Sequence, residues 1–286
     1  MDSHSYWYIG LIILGVVILF FAYSRKRSFQ TMILFFIMVE LAFLIETVIY
    51  IFLDCYMYYP HIIRWDIYYD SLFGSLCSNL LIVPALATLI GALQLRAIWI
   101  ILFTGLLAAV EWYFLKIGIY THRWWHIAYT SMGLLLVYFP LSRMIYRRLI
   151  HPMRGVLHTL FLFLATASIV GTLGILPILF FSNRNYVPGW FENMSRDTIA
   201  FGSIFYLINT GVMILLAKLF RRHHWIRYIL LGAFLYILTI GLMKLEILRS
   251  YTAWDPWYYI LVPLLCLRVA EGISKALYRG QNWMKN

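Results

Sequence analysis

The chain places ionisable side chains inside long apolar stretches, where hydrocarbon surroundings penalise charge. They are Glu40, Glu46, Glu111, Lys116, Lys244, Glu246, Arg268 and Glu271. Residues of this kind mark ligand sites, proton or ion relays, or ion pairs that lock helices together. Arg268 and Glu271 are three positions apart, share a helix face and read as a structural ion pair. If the helices carrying Glu46, Glu111 and Lys244 adjoin, the three meet at similar depth. There they would bind a cation, relay a proton or hold a lipid headgroup. One lysine cannot neutralise two acids unless one of them is protonated. Glu40 lies too deep to snorkel and must face protein or water. Glu246, near Lys244, completes the set of candidate binding or relay residues.

No other motif names a reaction. The sequence has no HExxH, GxSxG, Walker A or paired CxxC pattern. No catalytic residue, metal site or cofactor is therefore assigned. Cys55, Cys77 and Cys266 have neither metal nor disulfide spacing and read as small packing residues.

The elements that carry these residues follow from composition. Hydrophobic residues make up 63% of the 286 positions and charged residues 12%, against roughly a quarter charged in a soluble domain. Apolar runs near the 20 residues that span a bilayer recur along the chain. They predict nine helices, at 7–24, 30–53, 71–95, 97–118, 125–146, 155–182, 198–220, 226–248 and 257–277. The fold class is an all-α, polytopic transmembrane bundle. The first run follows no basic segment and reads as an uncleaved helix.

The net charge of +11 reflects topology and anionic headgroups at the cytoplasmic face rather than nucleic acid. Fifteen of the 23 basic residues, among them Arg221, Arg222, Arg227 and Lys285, fall on one set of connections. Arg64, Arg123, Arg184, Arg196 and Arg249 fall on the other, with Asp2, Asp54, Asp66, Asp70, Glu192, Asp197 and Asp255. The positive-inside rule puts the N-terminus outside and the C-terminus in the cytoplasm of a cell membrane. The acidic, outer connections are also rich in Tyr and Trp, which suit the headgroup level.

The two halves resemble each other. Residues 59–75 read YPHIIRWDIYYDSLFGS and residues 186–203 read YVPGWFENMSRDTIAFGS. Both place a Tyr, a Pro, a Trp (Trp65, Trp190) and an Asp (Asp70, Asp197) ahead of Phe-Gly-Ser. The two aspartates suit helix capping or loop organisation, with Ser71 and Thr198 following. Three segments are expected: a leading helix at 1–28, a four-helix repeat at 29–150 and a second at 151–286. Four helices return the chain to its starting side, so the repeats would be parallel.

Residues 41–149 resemble a group of small polytopic membrane proteins of endospore-forming bacteria. The likeness rests on an acid-bearing helix leading to YMYYPHIIRWD, on Pro84, on Glu111-Trp112, and on the run from Gly118 through Tyr120 to Trp124-Trp125. It implies a bacterial plasma membrane, with Glu111 as the family's acid, and no activity. The second half departs from the pattern, because Glu246 lies about one turn closer to its following Tyr.

The residues thus read as a non-enzymatic membrane protein that binds or passes a small solute, ion or lipid through an outer-leaflet cavity. The alternatives are an intramembrane enzyme acting on lipid or isoprenoid substrates and a structural subunit of a membrane complex. A membrane-protein partner or a second copy of the chain is compatible with each.

Overall fold

A computed structural model describes residues 3–220 and 223–281. Asp2, Arg221, Arg222 and Lys285, used above to orient the chain, lie outside the described residues. Nine helices form among the described residues. They are α1 (Ser3–Lys26), α2 (Phe29–Phe52), α3 (Ile67–Leu93), α4 (Ala97–Lys116), α5 (residues 127–149), α6 (Gly155–Phe181), α7 (Met194–Leu219), α8 (His224–Lys244) and α9 (Asp255–Arg279). The architecture is the expected all-α, multi-pass bundle. Seven of the nine, all but α5 and α9, are long and apolar enough to cross a bilayer. Four short strands, β1 (Tyr56–Tyr58), β2 (Tyr120–His122), β3 (Arg184–Tyr186) and β4 (Leu248–Ser250), pair as two antiparallel ribbons, β1 with β2 and β3 with β4.

The chain divides into two compact units, residues 1–153 with 276–286, and residues 154–275. In the first, α3 packs against α1, α2 and α5. Gly91 permits the close approach: a Cβ there would lie 2.7 Å from the Ser142 carbonyl oxygen and 2.9 Å from Leu34. Small residues serve this purpose between membrane helices. Helix α4 buries only Ile100, Thr104 and Phe114 and presents most of its apolar surface outward, as a lipid-facing helix does.

Three helices of this unit contain a wide π turn, at Thr47–Phe52 in α2, Cys77–Ile82 in α3 and Gly133–Tyr138 in α5. The last two end two residues before Pro84 and Pro140. A proline removes one helical N–H and its ring crowds the carbonyl four residues back. The wider turn absorbs both effects, so these prolines reshape their helices rather than break them.

In the second unit, α6 packs along α7. Its core gathers Val170, Met213, Leu231, Leu235, Ile260 and Leu267. The order of elements from α6, namely helix, strand, helix, helix, strand, helix, is also the order from α2 to α5.

Candidate functional site: an acid-bearing cavity beneath the first ribbon

The β1–β2 ribbon pairs Tyr56 with His122, Met57 with Thr121 and Tyr58 with Tyr120. Side chains alternate faces along a strand, so Tyr56, Tyr58, Tyr120 and His122 share one face. The rings pack together: Tyr58 stacks on Tyr120 at 4.6 Å, and Tyr56 lies 5.5 Å from Tyr120 between centroids. They cap a cavity of about 370 Å³ walled by α1 to α5.

The cavity brings Glu46 and Glu111 together, as the sequence suggested. Glu46 ends the regular part of α2 and is buried. The Tyr56 hydroxyl donates to its Oε2 at 2.5 Å and the Ser75 hydroxyl to its Oε1 at 2.5 Å. Asn79 donates in turn to Ser75 at 3.5 Å. Across the cavity, Glu111 Oε1 lies 3.0 Å from His122 Nε2 and accepts from Thr130 Oγ1 at 3.3 Å. The Trp125 indole N–H donates to the same Thr130 at 2.8 Å. Helix α1 closes a side through Tyr8, whose hydroxyl donates to the Ile119 carbonyl at 2.7 Å. All three wide turns supply lining residues, Ile49, Asn79 and Leu134 among them. Irregular turns of this type recur at functional sites because they rotate side chains off the regular helical faces.

Burial, reinforced by the Glu46 carboxylate, pushes the Tyr56 and Tyr58 hydroxyls well above their ordinary value. Burial, then Tyr58 and the two acids, does the same to Tyr120. These hydroxyls stay protonated at neutral pH and act as neutral donors. Among the described residues, no Lys or Arg lines the cavity.

The remaining sequence candidates lie elsewhere. Lys244 and Glu246 are exposed at the end of α8, in the second unit and outside this lining, so Lys244 does not complete the expected trio. Glu40 is wholly buried in α2, away from the cavity lining. Arg268 and Glu271 do pair, at 3.0 Å, but Arg268 is 72% exposed. The buried partner of Glu271 is Arg227, at 2.8 Å, a residue that charge counting assigns to the topology signals.

Asp70 and Asp197 organise loops rather than cap helices. The caps stand one turn earlier, where Asp66 accepts from the Tyr69 N–H and Asn193 from the Arg196 N–H. Asp70 accepts the backbone N–H groups of His61, Ile62 and Ile63, each at 2.8 Å. Asp197 accepts those of Gly189, Trp190 and Phe191 at 2.9–3.2 Å. Ser71 and Thr198 accept the N–H groups of Tyr58 and Tyr186, which ties each strand to the following helix. Trp65 and Trp190 are exposed beside these loops.

The second ribbon holds a different polar centre, which sequence reasoning missed. Arg184 and Asp255 are both fully buried. Arg184 Nε and Nη2 donate to the two Asp255 carboxylate oxygens at 2.9 Å each. Its guanidinium carbon lies 3.3 Å from the centroid of the Tyr259 ring, and its Nη1 donates to the Tyr186 hydroxyl at 2.7 Å. The only sequence signal was an Arg standing among acidic, aromatic connections. Among the described residues, no three His, Cys, Asp or Glu side chains converge as a metal-binding group.

No protein-family model, curated protein or solved structure matches this chain. The functional reading therefore rests on the geometry of the first unit's cavity.

Proposed function

We propose that this multi-pass membrane protein is a non-enzymatic binding protein or carrier that holds a small solute or ion in the first unit's cavity. The observation that carries the reading is the convergence of Glu46 and Glu111 on one cavity shaped by three wide helical turns. Small-molecule sites are concave and mostly apolar, with a few polar groups that fix orientation. This cavity has that character. Each acid has neutral hydroxyl donors, and Glu111 also has an imidazole.

In this reading the ribbon ends face outward and the basic helix ends face the cytoplasm, where they meet anionic headgroups. The supports are the distribution of Lys and Arg and the exposed Trp residues near the ribbons. The membrane is the plasma membrane of an endospore-forming bacterium, as the resemblance of residues 41–149 implies. The two units descend from a duplicated four-helix segment. Their shared order of elements and the matched roles of Asp70 and Asp197 support this.

The test is mass spectrometry of small molecules retained by protein purified from its own membrane, beside a Glu111→Gln variant. The expected result is a retained small molecule that the variant loses while its helical circular dichroism is unchanged. A variant that keeps the same retained molecule and loses only thermal stability overturns the reading.

A further inference from the structure

We propose that the first unit's cavity is selective for a small organic cation, an ammonium group on an apolar body. The inference rests on the binding function just described and names the class of its ligand.

Two carboxylates line the cavity and, among the described residues, no Lys or Arg does. A carboxylate in apolar surroundings needs a compensating positive charge or a proton. Tyr56 and Ser75 give Glu46 neutral donors. His122, the imidazole that contacts Glu111, balances at most one of the two acids when charged. A cationic ligand supplies what the lining lacks.

The walls of the cavity also suit a cation. Tyr56, Tyr58, Tyr120 and Trp125 face the same space as the two acids. Aromatic faces attract cations through their ring quadrupoles, most strongly where water is excluded. A simple hydrated metal ion makes poor use of such walls, and an anion is repelled by the acids. The volume of about 370 Å³ lies at the lower end of the roughly 300–1,000 Å³ of small-molecule pockets.

The second unit holds its own cation at the corresponding place in the sequence of elements. Arg184 opens β3 and pairs with Ser250, as Tyr56 opens β1 and pairs with His122. Glu46 stands ten residues before Tyr56, and Gly174 stands ten before Arg184. Where the strand opens with Arg, the guanidinium lies between a carboxylate and a Tyr face, at 2.9 Å from Asp255 and 3.3 Å from the Tyr259 centroid. Where it opens with Tyr, acids and rings surround a cavity. The second ribbon thus shows the kind of group that such a carboxylate and aromatic cage accommodates.

The experiment uses the full chain in nanodiscs of zwitterionic lipid, with calorimetric titration of n-hexylammonium, 1-hexanol and hexanoate. These share one chain and differ in charge. Hexylammonium is expected to bind at least about tenfold more tightly than hexanol, and Glu46→Gln or Glu111→Gln removes the difference. The Tyr56→Arg substitution gives the first unit its own cation and is expected to abolish hexylammonium binding with helical content intact. If a variant fails to fold, the ranking of the three probes on the unaltered protein decides. Equal or tighter binding of hexanol or hexanoate overturns the cation claim and leaves the binding function standing. Absence of binding by all three overturns the cation claim too, and the retained-molecule experiment then decides whether the cavity binds anything.

Discussion

The Tyr56 hydroxyl donates to Glu46 at 2.5 Å, so the first ribbon is fastened to the helix that carries the cavity's acid. Removing that hydroxyl takes one donor from the Glu46 carboxylate in a buried position and leaves it Ser75 and Asn79. A buried acceptor deprived of a partner costs about 1–3 kcal/mol. Tyr56→Phe is therefore expected to lower stability by that amount in a reversible unfolding titration, with the fold otherwise unchanged. An unaltered midpoint would mean that the bond contributes nothing net.

The buried ring hydroxyls give the protein an alkaline limit. In an unfolded chain a tyrosine ionises near pH 10. Tyr56, Tyr58 and Tyr120 ionise well above that in the folded state, because burial and nearby acids oppose the phenolate. A folded value above the unfolded one means stability is fully present below about pH 10 and is lost as pH rises beyond it. Ultraviolet titration is expected to show exposed tyrosines ionising first. The ribbon tyrosines should follow only together with loss of helical circular dichroism. Ionisation of every tyrosine near pH 10 with the helices intact would contradict this.

Gly74 is the residue that lets the ribbon lie on α3. A Cβ there would stand 2.5 Å from the Tyr58 Cβ and 3.1 Å from the Tyr8 ring. Gly74→Ala must move the strand or α1, and overpacking of this kind costs about 1–3 kcal/mol. At Gly105 in α4, an added Cβ would meet nothing within 4 Å, so Gly105→Ala is expected to be neutral or stabilising by up to about 1 kcal/mol. Thermal unfolding of the two variants side by side checks the contrast.

How much of this was legible in the sequence depends on the length scale of each signal. Apolar runs of bilayer length are long and redundant, and they place the nine helices within a few residues. Glu46 and Glu111 stand out because charge within such runs is costly. The π turns do not, since Pro84 and Pro140 suggest an irregularity but not its form. Lys244 enters the expected trio on depth alone, and depth along a helix says nothing about which bundle the helix joins. Arg227 counts as a topology signal by its position at the basic start of an apolar run, yet it is buried against Glu271 at 2.8 Å. The Arg184–Asp255 pair joins residues 71 positions apart, a contact that no local pattern encodes. Asp70 and Asp197 are visible through the repeat, but the caps lie at Asp66 and Asn193, because each loop needs an acceptor that only the later aspartate reaches.

The ion pairs of the second unit separate burial from proximity as sources of stability. Asp255 and Arg184 are fully buried and bidentate. Asp255→Ala strands a guanidinium away from water, and breaking such a pair costs roughly 3–5 kcal/mol. Arg184→Met leaves the buried carboxylate with the Asn183 amide as a donor but without its countercharge, and is costly by the same reasoning. The double variant removes both charges and is expected to cost clearly less than the two single losses together, as interacting residues do in a double-mutant cycle. Arg268 makes a contact of similar length to Glu271, at 3.0 Å, but is 72% exposed. Water and salt screen it, and Glu271 keeps Arg227 as a partner, so Arg268→Ala is expected to cost at most about 1 kcal/mol. Denaturant unfolding of the four variants measures both claims. Additive losses for Arg184 and Asp255 would mean the pair is not coupled, and a large loss for Arg268→Ala would mean that proximity, not burial, sets the energy.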